Sequence, residues 1–204
     1  MARPPAIEQA EDFRVVLNFQ SIGLTDEQFE RLCQDNQELR FEMSARRELI
    51  IMSPTKRKTG WRNARIATRL GVWTEQGGTG VAFDSSTLFT LPNGAKRSPN
   101  ASWISKARWR QLSEEEREES PICPDFVIEL RSESDRLKDL TEKMEEYIAN
   151  GAKLGWLLDP IDRCAYIYQL DKPPQKLTNP SRISGDPILS GFELDFANIA
   201  GDPE

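Results

Sequence analysis

The chain contains no histidine. That absence removes Ser-His-Asp and Cys-His nucleophilic catalysis, histidine metal ligation and histidine general bases. Any chemistry has to come from Asp, Glu, Lys, Arg, Tyr and Ser, with a hard metal ion as the compatible cofactor. Cysteine is scarce as well. Cys33, Cys123 and Cys164 are far apart and odd in number, so they form neither a disulfide framework nor a zinc spacing, and they suit a reducing cytoplasm. No apolar run approaches the length of a membrane span. Met1-Ala2-Arg3-Pro4-Pro5 lacks the apolar core that follows the basic residue of a secretory signal. A cytoplasmic protein is expected. There is no internal repeat, and Gln76-Gly77-Gly78-Thr79-Gly80 lacks the lysine and the spacing of a phosphate-cradling loop.

What is present describes an ordinary globular chain. With 204 residues, 38% of them hydrophobic and 29% charged, one domain with a sizeable core is expected. The formal net charge of −6 argues against a uniformly basic nucleic-acid-binding surface, but its distribution is uneven. Between Arg40 and Arg69 lie nine basic residues and only two acidic ones, Glu42 and Glu48. From Gln111 to Asn150 the balance reverses. A basic flank beside an acidic centre is compatible with a polyanion held next to a carboxylate cluster.

Local patterns divide the chain. Residues 1–24 are weakly patterned and read as a loose arm. Thr25-Asp26-Glu27-Gln28 caps a short helix. Leu39–Met43 and Glu48–Met52 read as two strands of a β-hairpin, although Ser44-Ala45-Arg46-Arg47 lacks a turn glycine. A helix from about Trp61 to Glu75 carries Ile66, Leu70 and Trp73 on one stripe, with Arg62, Arg65 and Arg69 on its flank. Together with Lys56, Arg57 and Lys58 they form a cluster suited to phosphates. Any single surface arginine on a helix is commonplace. The core domain is expected over residues 25–194, with 195–204 as a tail.

The most informative stretch is Pro124-Asp125-Phe126-Val127-Ile128-Glu129-Leu130-Arg131. Its nearly continuous apolar run fits a central strand covered on both faces. Glu129 interrupts it, and a buried carboxylate is costly unless something pairs with it. Strand alternation turns Glu129 and Arg131 to the same face. In the following helix Leu137, Leu140, Met144, Tyr147 and Ile148 make an apolar stripe. Lys143 at its edge can reach back over the sheet toward Glu129. An ion pair from Glu129 to Arg131 or Lys143 without chemistry is the plain alternative to a site. Strand, helix and the apolar strand Leu154–Leu158 together read as a βαβ crossover.

Several segments carry a family resemblance. They are Leu91-Pro92-Asn93-Gly94 with Arg97-Ser98-Pro99-Asn100-Ala101-Ser102-Trp103-Ile104, the Cys123–Ser132 stretch, Lys143–Ile148, and Gly155-Trp156-Leu157-Leu158-Asp159-Pro160. Over residues 39–194 the chain resembles the Uma-two family, a group assigned as endonucleases within the PD-(D/E)XK restriction-endonuclease-like superfamily. The resemblance implies an α/β fold: a mixed β-sheet flanked by helices, preceded here by the N-terminal helix and β-hairpin. It also implies metal-dependent hydrolysis of DNA phosphodiester bonds.

By that resemblance Glu129 is the acid of the (D/E)XK strand, Arg131 takes the lysine position of the motif, and Lys143 is the helix lysine used in its place. Glu42 matches an upstream family glutamate, with Glu48 as the second choice. Asn100 departs from the pattern, because the family carries an aspartate there as the first metal ligand. Mg²⁺ or Mn²⁺ would be held by Glu129 and Asn100, and the missing charge implies a weakened site or an inactive DNA-binding or interaction module of the same fold. DNA is the expected partner, and a homodimer suits an enzyme that cuts both strands.

Overall fold

The computed structural model describes residues 14–52 and 54–202. The first described element is strand β1 (Arg14–Asn18), followed by helix α1 (Asp26–Asp35) and the strand pair β2 (Arg40–Met43) and β3 (Glu48–Met52). Thr25 starts α1 as expected. Its hydroxyl accepts from the Gln28 backbone N–H, and the Gln28 side chain accepts in return from the Thr25 N–H. The β2–β3 turn closes without glycine because Arg47 adopts the left-handed conformation, with φ of 61°.

Part of the expected N-terminal arm is ordered structure. Residues 1–13 lie outside the described residues, but β1 pairs antiparallel with β3 along its whole length. Its run Val15-Val16-Leu17 does not alternate with polar residues, since an edge strand half-exposed on both faces needs no such pattern. The pair extends into a five-stranded sheet through β5 (Phe89–Thr90) and β6 (Lys96–Arg97), in the order β1-β3-β2-β6-β5. Phe29 of α1 packs under it against Phe41, Met43 and Leu49.

The larger sheet is the frame. Helix α2 (Arg57–Gly77) leads to β4 (Gly80–Asp84) and β7 (Ala101–Ser105). Two short helices, α3 (Lys106–Trp109) and α4 (Glu114–Glu119), precede β8 (Phe126–Leu130), helix α5 (Leu137–Ala149), β9 (Leu154–Asp159), β10 (Cys164–Gln169) and β11 (Lys172–Thr178). The order is β11-β10-β9-β8-β7-β4. Among the described residues only β8 and β9 run parallel, and α5 makes the expected crossover between them.

Every residue of β8 is buried. Alternation sends Phe126, Ile128 and Leu130 to the face covered by Ile66 and Leu70 of α2. Val127 lies on the other face, under Leu140, Met144 and Tyr147 of α5. Glu129 shares that second face, so the strand's period alone aims its carboxylate at α5. Burying a side chain such as Leu140 or Met144 contributes about 1.5–3 kcal/mol. That contribution holds the helix, and with it Lys143, against the sheet.

The C-terminal part also departs from the expected tail. After β11, strands β12 (Arg182–Ser184) and β13 (Glu193–Asp195) pair with each other, and helix α6 (Phe196–Ala200) follows. Phe192, Leu194, Phe196 and Ile199 are buried in the core beneath α2. The packed domain therefore runs past residue 194 to the end of α6. Short pieces between Pro and Gly carry too few turns of any period to be seen, and Pro173 and Pro174 are tolerated in β11 because it is the sheet's outer strand.

Candidate active site

A cleft of about 670 Å³ opens between the small sheet and the end of β8 with α5. Glu42, Arg97, Asn100, Glu129, Lys143 and Glu146 all line it. Lys143 is the hub. Its Nζ lies 2.7 Å from Glu42 Oε1 and 2.8 Å from Glu129 Oε1. Three different elements meet here: β2 supplies Glu42, β8 supplies Glu129 and α5 supplies Lys143. Tyr147, one helical turn after Lys143, donates its hydroxyl to the same Glu129 oxygen at 3.0 Å.

Glu42 is held from three sides. Besides Lys143, the Ser98 backbone N–H donates to Oε1 at 2.9 Å, and Arg97 donates to Oε2 at 3.3 Å. Arg97 in turn donates through Nε to Glu146 at 2.6 Å. This chain ties the small sheet to α5.

The two glutamates titrate in opposite directions. Burial pushes the Glu129 carboxyl above its ordinary value, and neither Lys143 nor Tyr147 offsets it while the Glu42 charge stands nearby. Burial acts the same way on Glu42, but there Lys143, Arg97 and the Ser98 N–H prevail and hold the group low. Lys143 is itself driven down by burial, yet the two carboxylates outweigh that and keep it an ammonium. Tyr147 is raised well above its ordinary value by burial and by the Glu129 charge, so it stays a donor.

Asn100 stands at the end of β7, one residue before the Ala101–Ile128 pair that joins β7 to β8. Its side-chain oxygen accepts from the Leu130 backbone N–H at 2.7 Å, and its amide nitrogen donates to Asn63 of α2 at 3.0 Å. The amide already has partners on both ends. Among the described residues, no group of three or more His, Cys, Asp or Glu side chains gathers in a way that could hold a metal ion. The donors present suit a hard divalent cation in kind, a carboxylate oxygen of Glu129 and an amide oxygen of Asn100. They fall short in charge.

Other expected site residues lie elsewhere. Arg131 does not face the Glu129 pocket. Its backbone N–H donates to Leu158, and its guanidinium pairs with Asp159 at 2.6 Å and Asp162 at 3.0 Å. The strand ends at Leu130, so the alternation that would place Arg131 beside Glu129 no longer applies.

Arg62 is buried and donates to the carbonyls of Ile199, Ala200 and Gly201, capping α6. Lys58 pairs with Asp202, and Arg65 lies over the Trp61 ring, 5.0 Å from its centroid. Arg57 and Arg69 are exposed. Of the expected phosphate-binding cluster only Lys56 lines the cleft, and it reaches Glu133 at 3.3 Å. Acidic side chains slightly outnumber basic ones around the cleft, so it does not attract a polyanion by charge alone.

Arg97, Ser98, Glu146 and Tyr147 are site residues that sequence reasoning missed as such. A charged residue next to the apolar β7 was the available signal for Arg97. Tyr147 looked like core because it is core, and only its hydroxyl is polar.

A mixed sheet with α5 crossing from β8 to β9, and a lysine–glutamate cluster at the strand end, defines an α/β fold with a buried charged site that opens on a cleft. The crystal structure of a putative nuclease belonging to DUF820 from Anabaena variabilis ATCC 29413 is similar to this chain. Its TM-score is 0.65 at 19% identity, covering 78% of this chain and 89% of that one. The Uma2 family, described as putative restriction endonucleases, matches residues 26–197, and the chain belongs to it. No curated protein matches the chain in sequence. Restriction-endonuclease-like families generally use divalent metals. No described helix is long and apolar enough to cross a membrane.

Proposed function

We propose that the chain is a nuclease of this family that hydrolyses DNA phosphodiester bonds with a divalent ion, Mg²⁺ or Mn²⁺, at an activity lowered by Asn100. The convergence of Glu129 and Lys143 within 2.8 Å at the floor of an open cleft supports this reading most directly. Glu129 and Asn100 would hold the ion. When bound, it supplies neutralisation of phosphate charge and acidification of water.

The chain's own residues do the rest. Lys143 presents a buried ammonium, kept charged by its two carboxylates, to the negative charge that develops on a phosphate oxygen. Glu42 and Tyr147 fix the donors and acceptors around it. The exposed Arg57 stands at the start of α2, next to Lys56, which pairs with Glu133 at the cleft's edge, and would contact the nucleic-acid backbone.

One observation favours a second reading, a catalytically silent DNA-binding or interaction module. The Asn100 amide is satisfied by Leu130 and Asn63, as a structural residue would be. Plasmid cleavage in Mg²⁺ and Mn²⁺, run on the natural chain beside Asn100→Asp and Glu129→Gln, separates the two. Cleavage that rises in Asn100→Asp and vanishes in Glu129→Gln is expected. The aspartate keeps the Leu130 contact and adds charge, and Asn63 can turn its amide to donate. No cleavage in either the natural chain or Asn100→Asp supports the silent module.

A further inference from the structure

Helix α2 carries five basic residues and one acidic residue, Glu75. Two of the five serve the fold. Lys58 pairs with Asp202, and Arg62 donates to the last carbonyls of α6. Arg57, Arg65 and Arg69 do not. Ile66 and Leu70 are fully buried and define the inner side of the helix. Arg57, Trp61, Arg65 and Arg69 follow one another at four-residue steps along its outer side, where such steps make side chains neighbours. Arg57 and Arg69 are exposed, and the Arg65 guanidinium lies over the Trp61 ring, 5.0 Å from its centroid. Among the described residues no carboxylate pairs with any of these three arginines. Arg65 and Arg69 are a like-charged pair one turn apart, which weakens a helix. The row therefore does nothing for the stability of α2.

We propose that the outer face of α2 is a track for the phosphate backbone of duplex DNA, contacted by Arg57, Arg65 and Arg69, with Trp61 holding Arg65 in place. The choice of DNA as the polyanion rests on the nuclease reading of the cleft. From Arg57 to Arg69 the helix rises about 18 Å, or about five base-pair steps of a duplex. Guanidinium groups match phosphate oxygens in shape and charge. A guanidinium already restrained on a ring loses less freedom when it binds. Single strands are held by stacking bases on free aromatic faces, but Trp61 is the one aromatic ring in this row and Arg65 covers it. Val72 is the other large apolar side chain exposed on the helix, so the face is too polar to lie in a membrane surface. Arg57 directly follows Lys56, a residue of the cleft wall. The track thus starts at the cleft's edge and supplies the attraction that the cleft's own slightly acidic lining lacks.

The test measures binding of the whole chain to a short labelled duplex by fluorescence anisotropy, across a salt series in EDTA, where cleavage plays no part. The variant Arg57→Gln, Arg65→Gln, Arg69→Gln is expected to flatten the slope of log K against log salt by about 2.7, from about 0.9 per phosphate contact. Lys138→Gln, Lys172→Gln, Lys176→Gln carries the same net charge, with its substitutions on α5 and β11, and is expected to keep the natural slope. Circular dichroism and the melting temperature confirm folding. If the triple arginine variant fails to fold, Arg57→Gln with Arg69→Gln leaves the Arg65–Trp61 contact intact and should flatten the slope by about 1.8. An unchanged slope in the arginine variants overturns the track, and so does an equal loss in the lysine variant. Tighter binding to a single strand than to the duplex, or no duplex binding by the natural chain at low salt, also overturns it. If the duplex is bound through these arginines while neither the natural chain nor Asn100→Asp cuts plasmid in Mg²⁺ or Mn²⁺, the nuclease reading fails and the track stands.

Discussion

Replacing Lys143 by methionine is the sharpest single perturbation of this structure. The side chain keeps its length and apolar stem and loses only its charge. Two carboxylates remain, with side-chain exposures of 3% for Glu42 and 4% for Glu129. Glu42 keeps Arg97 and the Ser98 N–H, whereas Glu129 keeps only the Tyr147 hydroxyl among the described residues. Most of the cost therefore falls on Glu129. Removing one partner of a buried ion pair destabilises by about 3–5 kcal/mol. With a urea m-value of about 3 kcal/mol per molar, a loss of about 4 kcal/mol lowers the unfolding midpoint by about 1.3 M.

The pH dependence has a definite sign. The folded-state pKa of Glu129 lies above its ordinary value of 4.5. A group raised in this way contributes stability that is present below the ordinary value and lost as pH rises through the folded value. Without Lys143 the folded value rises further, so the variant is hurt more at about pH 8 than at about pH 5, where Glu129 takes up a proton. Glu42, held low, behaves oppositely: its contribution is present above its ordinary value and lost as pH falls through the depressed one. Arg97 preserves that contribution in the variant. Urea titrations at both pH values measure the difference. An unchanged midpoint in alkaline buffer, or a larger loss in acid, would refute the picture of a shared buried ammonium. The triple variant Glu42→Gln, Glu129→Gln, Lys143→Met is expected to regain most of the loss, since it leaves no uncompensated charge.

Two further substitutions separate structural from functional cations. Arg62→Ala removes the donors to the last carbonyls of α6 and is expected to cost about 2 kcal/mol, or about 4–8 °C in Tm. DNA affinity measured across a salt series should stay unchanged, and a weaker salt slope would return Arg62 to the phosphate-contacting set. Arg131→Ala removes the charge partner of the fully buried Asp159, which keeps only the Ile161 and Asp162 backbone N–H groups among the described residues, and is expected to lower stability by about 3 kcal/mol. Its cleavage per folded molecule, read by active-fraction titration, should match the natural chain. A selective loss of cleavage would place Arg131 back at the site.

Sequence alone determined the central strand, the helix after it and the parallel crossover, because each is long enough to display its own period. It also determined that Glu129 needed a partner and that Lys143 was within reach, since alternation in β8 and the helical repeat of α5 fix both directions before any packing is known. Tertiary structure decided the rest. Arg62, read from the flank of α2 as a phosphate contact, caps a helix more than a hundred residues later in the chain. Arg131 leaves the pocket because β8 stops one residue short of it. Glu42 and Arg97 become a support for Lys143 only when the small sheet closes over α5. Such contacts join distant segments, and no local pattern records a partner that only folding brings near.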